Sequence, residues 1–253
     1  MYKATIGCLA AVLLGLGRLA AADTTITLAN GDWPPYMGKN LPHAGSVSRI
    51  VSEAFATEGV KVKFEFMPWA RGLEEAKAGH LDGTFVWSKT PERETIFYLT
   101  EPVFIEKVYL LYPKAKPLHF NQLSDLSKAS LGATIGYNYG PEWNRLEQSK
   151  GLQVSRVPSD EQNLQKLLGG RVDAFPIDLT VGMYMLNQIG GAAAMDKVGY
   201  DAAKPLQQEA MYMLISRQAA NGAELVRKFN AGLAKLKASG KLEQYLKEGI
   251  TAK

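Results

Sequence analysis

Two anion-binding devices coincide in the string Ser88-Lys89-Thr90-Pro91-Glu92-Arg93. Thr90 is suited to cap a helix whose first position is Pro91, where a missing N–H costs nothing. Free N–H groups and a partial positive charge make such a helix start a receiver of anions. Arg93 adds a guanidinium fork in the same first turn, shaped for a carboxylate. The plain alternative is a strand–loop–helix joint with a solvated arginine, paired to Glu92 or Glu94 at little gain. The complementary charge is Asp178, which closes the apolar run Val172 to Ile177. It reads either as a carboxylate for a ligand ammonium or as the N-cap of the next helix. A cation with a helix N-terminus on one side and a carboxylate on the other suits a zwitterion.

The elements that must hold these residues follow from periodicity. Thr25 to Ala29 predicts a first strand, and Asn30-Gly31-Asp32-Trp33-Pro34-Pro35-Tyr36 a loop. Val47, Ile50, Val51, Ala54 and Phe55 keep the i, i+3, i+4 spacing of an amphipathic helix, which Gly59 ends. Val60, Val62, Phe64 and Phe66 alternate with charged residues, as a half-buried strand does. A helix over Trp69 to Lys77 and a strand over Thr84 to Trp87 complete a β-α-β-α-β rhythm, the mark of an α/β layer. After the extended run Val103 to Tyr112 the rhythm starts again. Strands are predicted at Leu131–Ile135, Gln153–Val157, Val172–Ile177 and Ala210–Ser216. Helices are predicted from Glu142, from Ser159 (with Gln162 completing a capping box), after Asp178, and at Leu225–Leu236 and Leu242–Tyr245. An internal echo links the halves. Leu73…Gly79-x-Leu81-Asp82-Gly83 matches Leu164…Gly170-x-Val172-Asp173-Ala174 in register. Each copy is a helix, a glycine stop, an aspartate and a buried strand, and implies two lobes of similar build. The two aspartates are expected to satisfy turn backbone. In parallel sheets the ligand crevice lies beyond the carboxyl ends of the strands, which puts Trp87, Ser88 and Arg93 on one side and Asp178 on the other.

The rest of the composition excludes other chemistries. Residues 1–22 read as a secretory signal, with Lys3 ahead of an apolar stretch from Ala4 to Gly17 and small residues Ala20-Ala21-Ala22 for cleavage after Ala22. Taking Lys3 and Arg18 out of the 29 basic residues leaves 27 against 25 acidic ones, a net charge of +2 and no nucleic-acid footprint. Cys8, the only cysteine, lies inside the signal. His43, His80 and His119 have no ligand-like spacing, so neither a metal nor a cofactor is implied.

With these residues in place the chain resembles the type II periplasmic solute-binding proteins of the polar amino-acid family (bacterial extracellular solute-binding proteins, family 3). The resemblance rests on Trp33-Pro34-Pro35-Tyr36 after the first strand, Pro68-Trp69, Gly79-x-x-Asp82, Ser88-x-Thr90-Pro91-Glu92-Arg93, and Gly170-Arg171-Val172-Asp173-Ala174 running to Asp178. It implies an α/β fold of two lobes, each a mostly parallel sheet flanked by helices, joined by two crossing hinge strands near Lys107–Leu111 and Gln207–Met211. Residues 23–108 and 209–253 would form lobe 1, and 109–208 lobe 2. It also implies a periplasmic monomer that captures a small amino acid or related carboxylate, partnered by a membrane permease or receptor.

Carried over residue by residue, Arg93 and Ser88 hold the ligand carboxylate. The Val86 carbonyl and Asp178 take the ammonium. Asn138, Tyr139 and Gly140 form the second-lobe loop, and Trp33, Tyr36, Trp69 and Trp87 line or narrow the pocket. Arg71 after Trp69, and Arg49 in Gly45-Ser46-Val47-Ser48-Arg49, depart from the family pattern. No catalytic constellation is legible. An enzyme on the same fold, such as a cyclohexadienyl- or arogenate-type dehydratase with Glu142 or Glu209 as general acid, is one alternative. A sensory module signalling through a membrane partner is another.

Overall fold

Alternating side chains build the first layer. The computed structural model describes residues 24–251, and the expected signal, residues 1–22, lies outside them. Strand β1 (Thr24–Asn30) pairs in parallel with β2 (Val60–Phe66), whose Lys61, Lys63 and Glu65 face solvent as suits an edge. On its other side β1 pairs in parallel with β3 (Gly83–Ser88). Between these strands run α1 (Ser46–Ala56) and α2 (Trp69–Lys77). Pro91 opens the short α3 (Pro91–Ile96), with β4 (Phe97–Leu99) after it. Two long strands obey different rules. Strand β5 (Phe104–Pro113) and strand β10 (Gln207–Ser216) pair antiparallel over Phe104–Val108 and Gln207–Met211. The first of these stretches begins three residues before the expected hinge, because from Val108 onward β5 turns to pair with β8 (Phe175–Asp178). Strand β10 continues antiparallel beside β3, so one sheet runs β2-β1-β3-β10-β5-β8.

The second half repeats the parallel motif with β6 (Ser130–Thr134) beside β7 (Gln153–Val157), and a parallel bridge from Leu131 to Ala174 ties them to the approach to β8. Its helices are α4 (Pro141–Gln148), α5 (Asp160–Leu168) and α6 (Leu179–Met195), the last broken at Gly190-Gly191. A two-residue β9 (Val198–Gly199) pairs with the end of β5. Helices α7 (Gly222–Ala238) and α8 (Lys241–Thr251) close the chain. Among the described residues no helix is long and apolar enough to cross a membrane.

The sequence echo is a structural one. Asp82 Oδ2 accepts from the Thr27 N–H at 2.7 Å and the Asp82 N–H donates to the Thr27 carbonyl at 2.9 Å. Asp173 makes the same reciprocal pair with Ser130, at 2.9 and 2.7 Å. Gly79 and Gly170 both stop their helices at positive φ, +79° and +67°. Each aspartate thereby pins a neighbouring strand to the turn ahead of its own. The strand after Asp173 starts at Phe175, later than periodicity suggests, because Val172 and Asp173 are spent on this turn.

One core packs α1 against α7, with Val47, Ile50, Val51, Ala54 and Phe55 facing Leu225, Phe229, Leu233 and Leu236. The Phe55 and Phe229 rings lie 5.3 Å apart. The helices cross closely at Gly232, where a Cβ would overlap the Ala54 carbonyl oxygen. A second core gathers Leu123, Leu126, Leu131, Trp143, Leu146 and Leu152. Arg49 and Arg71 are accounted for outside the cleft. Arg49 pairs with Glu248 at 2.6 Å and covers the Tyr245 ring, and Arg71 reaches Glu75 on its own helix. Gly232→Ala should lower stability by about 1–3 kcal/mol in urea unfolding despite alanine's better helix propensity, since overpacking outweighs it. An unchanged or raised midpoint would contradict the close crossing.

Candidate functional site

Where β3 ends, the chain is strained. Val86 has φ +65°, a conformation rare for a β-branched residue. The register explains it. Trp87 pairs with Tyr212 and Phe85 with Met213, so Val86 is an extra residue with no partner on β10. Such a bulge leaves its residue outside the ladder and re-aims the side chains after it. Strain of this kind costs about 1–3 kcal/mol and clusters at functional sites. The next residues converge. Thr90 caps α3, its hydroxyl accepting from the Arg93 N–H at 3.2 Å. Arg93 turns back so that Nη1 donates to the Ser88 carbonyl at 2.6 Å and to Ser88 Oγ at 2.8 Å. The guanidinium stands 4.7 Å from the centre of the Trp87 ring. Trp87 in turn meets Trp69 edge-on at 5.5 Å and donates through its indole N–H to Thr84 Oγ1. Burial works against the Arg93 charge, while Glu209 and Glu92 favour it.

Across from this cluster is a cavity of about 230 Å³, small beside the ~300–1,000 Å³ usual for drug-sized ligands. Its wall includes Trp33, Tyr137, Asn138 and Tyr139, and four carboxylates: Glu106, Asp160, Asp178 and Glu209. No lysine, arginine or histidine lines it. Arg93 and Ser88 are not part of its wall, although Ser88 pairs with Met211 on β10, two residues from Glu209.

Asp178 is both a cap and a bridge. Its Oδ1 accepts from the Val181 N–H at 2.9 Å, capping α6, and from the Tyr36 hydroxyl at 3.0 Å; its Oδ2 faces the Lys107 N–H at 3.4 Å. The link from Tyr36 joins the loop after β1 to the start of α6. Burial nevertheless pushes Asp178 up to about 6 and, with Asp178's charge, raises Tyr36 well above its usual value. Tyr36 is buried between Trp33 and Phe104, with ring centroids 4.9 and 4.7 Å away. Tyr139 is also buried. Its hydroxyl accepts from the Thr134 N–H at 2.8 Å and its ring packs on Trp143. Asn138 Oδ1 accepts from the Gly140 N–H and from Asn144, shaping the turn into α4, with Gly140 at φ +100°. Trp69 covers Gly31, where a Cβ would come within 2.6 Å of its ring. Of the expected residues, then, Trp33, Asn138, Tyr139 and Asp178 meet in the cavity wall, and Arg93, Ser88, Trp87 and Trp69 form a second cluster beside it. Gly140 faces a different surface hollow, together with Glu142.

With this geometry stated, comparison with known proteins decides the family. The family model described as "Bacterial extracellular solute-binding proteins, family 3" matches residues 26–249. The chain belongs to that family. The probable amino-acid-binding protein YxeM of Bacillus subtilis (strain 168) is 22% identical over 229 residues, spanning 88% of this chain and 84% of that protein. The second substrate-binding domain of Lactococcus lactis GlnP, solved in an open conformation, superposes with a TM-score of 0.72 at 20% identity, over 92% of this chain and 97% of that one. The unliganded, open L-cystine solute receptor of Neisseria gonorrhoeae gives 0.71 at 21% identity, over 91% and 94%. These likenesses establish the two-lobed fold of this solute-binding protein.

Sequence reasoning left Glu106, Tyr137, Asp160 and Gln207 out of the site, and named Glu209 only as a general-acid candidate. Glu106 and Glu209 are directly opposed on the β5–β10 ladder. Among the described residues no hydrogen bond or ion pair reaches the Glu106 carboxylate. Burial first, then Asp178 and Glu209, raise it to about 8. Asp160 is buried and takes hydrogen bonds from Thr134 Oγ1 at 2.5 Å and from Tyr137, which only partly offset the burial that raises it. Among the described residues no three His, Cys, Asp or Glu side chains stand close enough to hold a metal ion.

These raised carboxyls set a pH dependence. Between ordinary carboxyl values near 4 and the folded values of about 6 for Asp178 and about 8 for Glu106, the folded state binds more protons than the unfolded chain. The stability contributed by these two groups is therefore fully present below about pH 4 and is lost as pH rises toward 8, by on the order of a few kcal/mol. Urea midpoints of the unliganded protein should drop from about pH 5 to about pH 8, and Glu106→Gln should remove most of that drop. A profile unaffected by the substitution would contradict the burial of an unneutralised Glu106.

Proposed function

We propose that this solute-binding protein captures a small α-amino acid between its lobes, with the carboxylate on Arg93 and the ammonium near the Val86 carbonyl and Asp178. The observation that carries the reading is the Arg93 cluster. Nη1 is fixed by two bonds to Ser88, while no hydrogen bond within the described residues uses the other N–H groups of the fork. An unspent, pre-positioned guanidinium beside a bulged strand end suits a carboxylate. Asn138 and Tyr139 supply the opposite lobe's side of the site. The names of the relatives, an amino-acid-binding protein and a cystine receptor, agree with this ligand class.

In this reading the lobes comprise residues 23–108 with 209–253, and 109–208, hinged on the β5–β10 pair. Ligand contacts to both lobes exist together only in the closed form, so binding shifts the population toward it. The monomer acts in the periplasm after signal removal behind Ala22, delivers its solute to a membrane permease, and performs no chemistry on it.

Arg93→Ala should weaken amino-acid binding by at least about 100-fold, since two charge-assisted bonds are lost. Calorimetric titration of the folded variant against the best amino-acid ligand of the native protein checks this. Unchanged affinity would overturn the carboxylate role.

A further inference from the structure

The cavity wall carries more carboxyl groups than an ordinary zwitterion can answer. Resting on the amino-acid reading above, we propose that the solute bears a second cationic group, an ammonium or guanidinium on its side chain, seated on Glu106 and Glu209 in the wall shared with Trp33 and Tyr137.

The geometry of the two hinge strands is the first support. Glu106 and Glu209 are directly opposed on the β5–β10 ladder, and like charges in that position destabilise a sheet. Ordinarily a counter-ion or a hydrogen-bond network relieves such a pair. Here, among the described residues, Glu209 accepts only from the Gln207 side-chain amide, at 3.2 Å, and Glu106 accepts no hydrogen bond. The second support is the distribution of Asp178's capacity. Its oxygens already serve Val181, Tyr36 and Lys107 and its charge is matched by the α-ammonium, so Glu106 is the carboxylate with room for a second cation. Third, the rest of the wall also wants donors. Glu209 can only accept, so the Gln207 amide nitrogen must face it. Gln207 Oε1 is then left as a buried acceptor with no partner. Trp33 and Tyr137 supply ring faces of the kind that attract organic cations. Tyr137 is 47% exposed, available to a ligand.

Arg93 is the nearby cation, and the carboxylate of an amino acid would engage it. That engagement leaves Glu106 and Glu209 without a positive partner unless the side chain brings one. The groups facing Glu106 are Asp178 and Glu209 as like charges and the phenols of Tyr36 and Tyr137. A bound cation therefore displaces the proton that Glu106 holds near neutrality, so affinity rises with pH.

Calorimetric titrations of the whole mature protein with L-lysine, L-arginine, L-glutamine, L-glutamate and 1,5-diaminopentane, at about pH 6 and about pH 8, test this. Expected is roughly 10- to 100-fold tighter binding of a basic amino acid than of L-glutamine at the higher pH. Proton release, seen as a buffer-dependent heat at the lower pH, should accompany it. Glu106→Gln should close the gap to L-glutamine and abolish the proton release, and Glu209→Gln should narrow the gap as well. Both variants remove a repulsion and should stay folded, which a thermal melt checks. Equal or tighter binding of L-glutamine or L-glutamate would overturn the cationic side chain while leaving the amino-acid reading in place. Binding of the diamine with no amino acid bound would keep the cationic site and overturn the amino-acid reading. Binding of none of the five to the folded protein would overturn both.

Discussion

Glu106 and Glu209 face each other across the β5–β10 pair, and burial together with Asp178 and Glu209 holds Glu106 protonated up to about pH 8. Both side chains are half-buried, so ionising Glu106 beside Glu209 and Asp178 is costly. The cost is borne by apolar packing on either side. Phe104 and Met211, paired at the end of the same ladder, are buried in the main core, and Val108 anchors the other side. On the proposed lobe division β5 and β10 are also the strands that run between the lobes, so charge and hinge share one segment. A ligand that answers the charge acts where the lobes are joined.

The surrounding site is built from strand ends whose backbone has been diverted from regular pairing. Val86 is held at positive φ by a one-residue bulge against β10, and that displacement sets the path of Trp87 and Ser88 toward Arg93. At the start of α6, Asp178 caps the helix and reaches Tyr36 from the loop after β1. The two arrangements differ in kind. Among the described residues Arg93 is held through Nη1 alone, whereas Asp178 is held by the Val181 and Lys107 N–H groups and the Tyr36 hydroxyl. On the proposed reading Arg93 meets the solute carboxylate, Asp178 its α-ammonium, and Glu106 and Glu209 a further cation.

Much of this was legible in the chain because it is local. Thr90-Pro91-Glu92-Arg93 folds as its capping chemistry requires, and the i, i+3, i+4 spacing in α1 matches its buried face. The echo between Asp82 and Asp173 carried through to the same pair of backbone bonds, since each depends only on a helix stop and the strand beside it. What stayed hidden depends on register. Nothing near Glu106 in the sequence marks Glu209 as its partner, and one residue of slip would turn both side chains to the other face. The conformation of Val86 was invisible for the same reason, being imposed by β10. Asp178 was readable as cap or ligand but not as the partner of Tyr36, because that bond joins distant parts of the chain.

The most direct measurement is the titration of the Glu106 carboxyl carbon by NMR in protein labelled at glutamate, assigned by Glu106→Gln. In the unliganded protein the midpoint should lie at about 8, and a saturating basic amino acid should bring it down toward the ordinary carboxylate range near 4. A Glu106 that titrates near 4 in the empty protein would contradict the account, because the hinge would then carry no unanswered charge for a solute to neutralise.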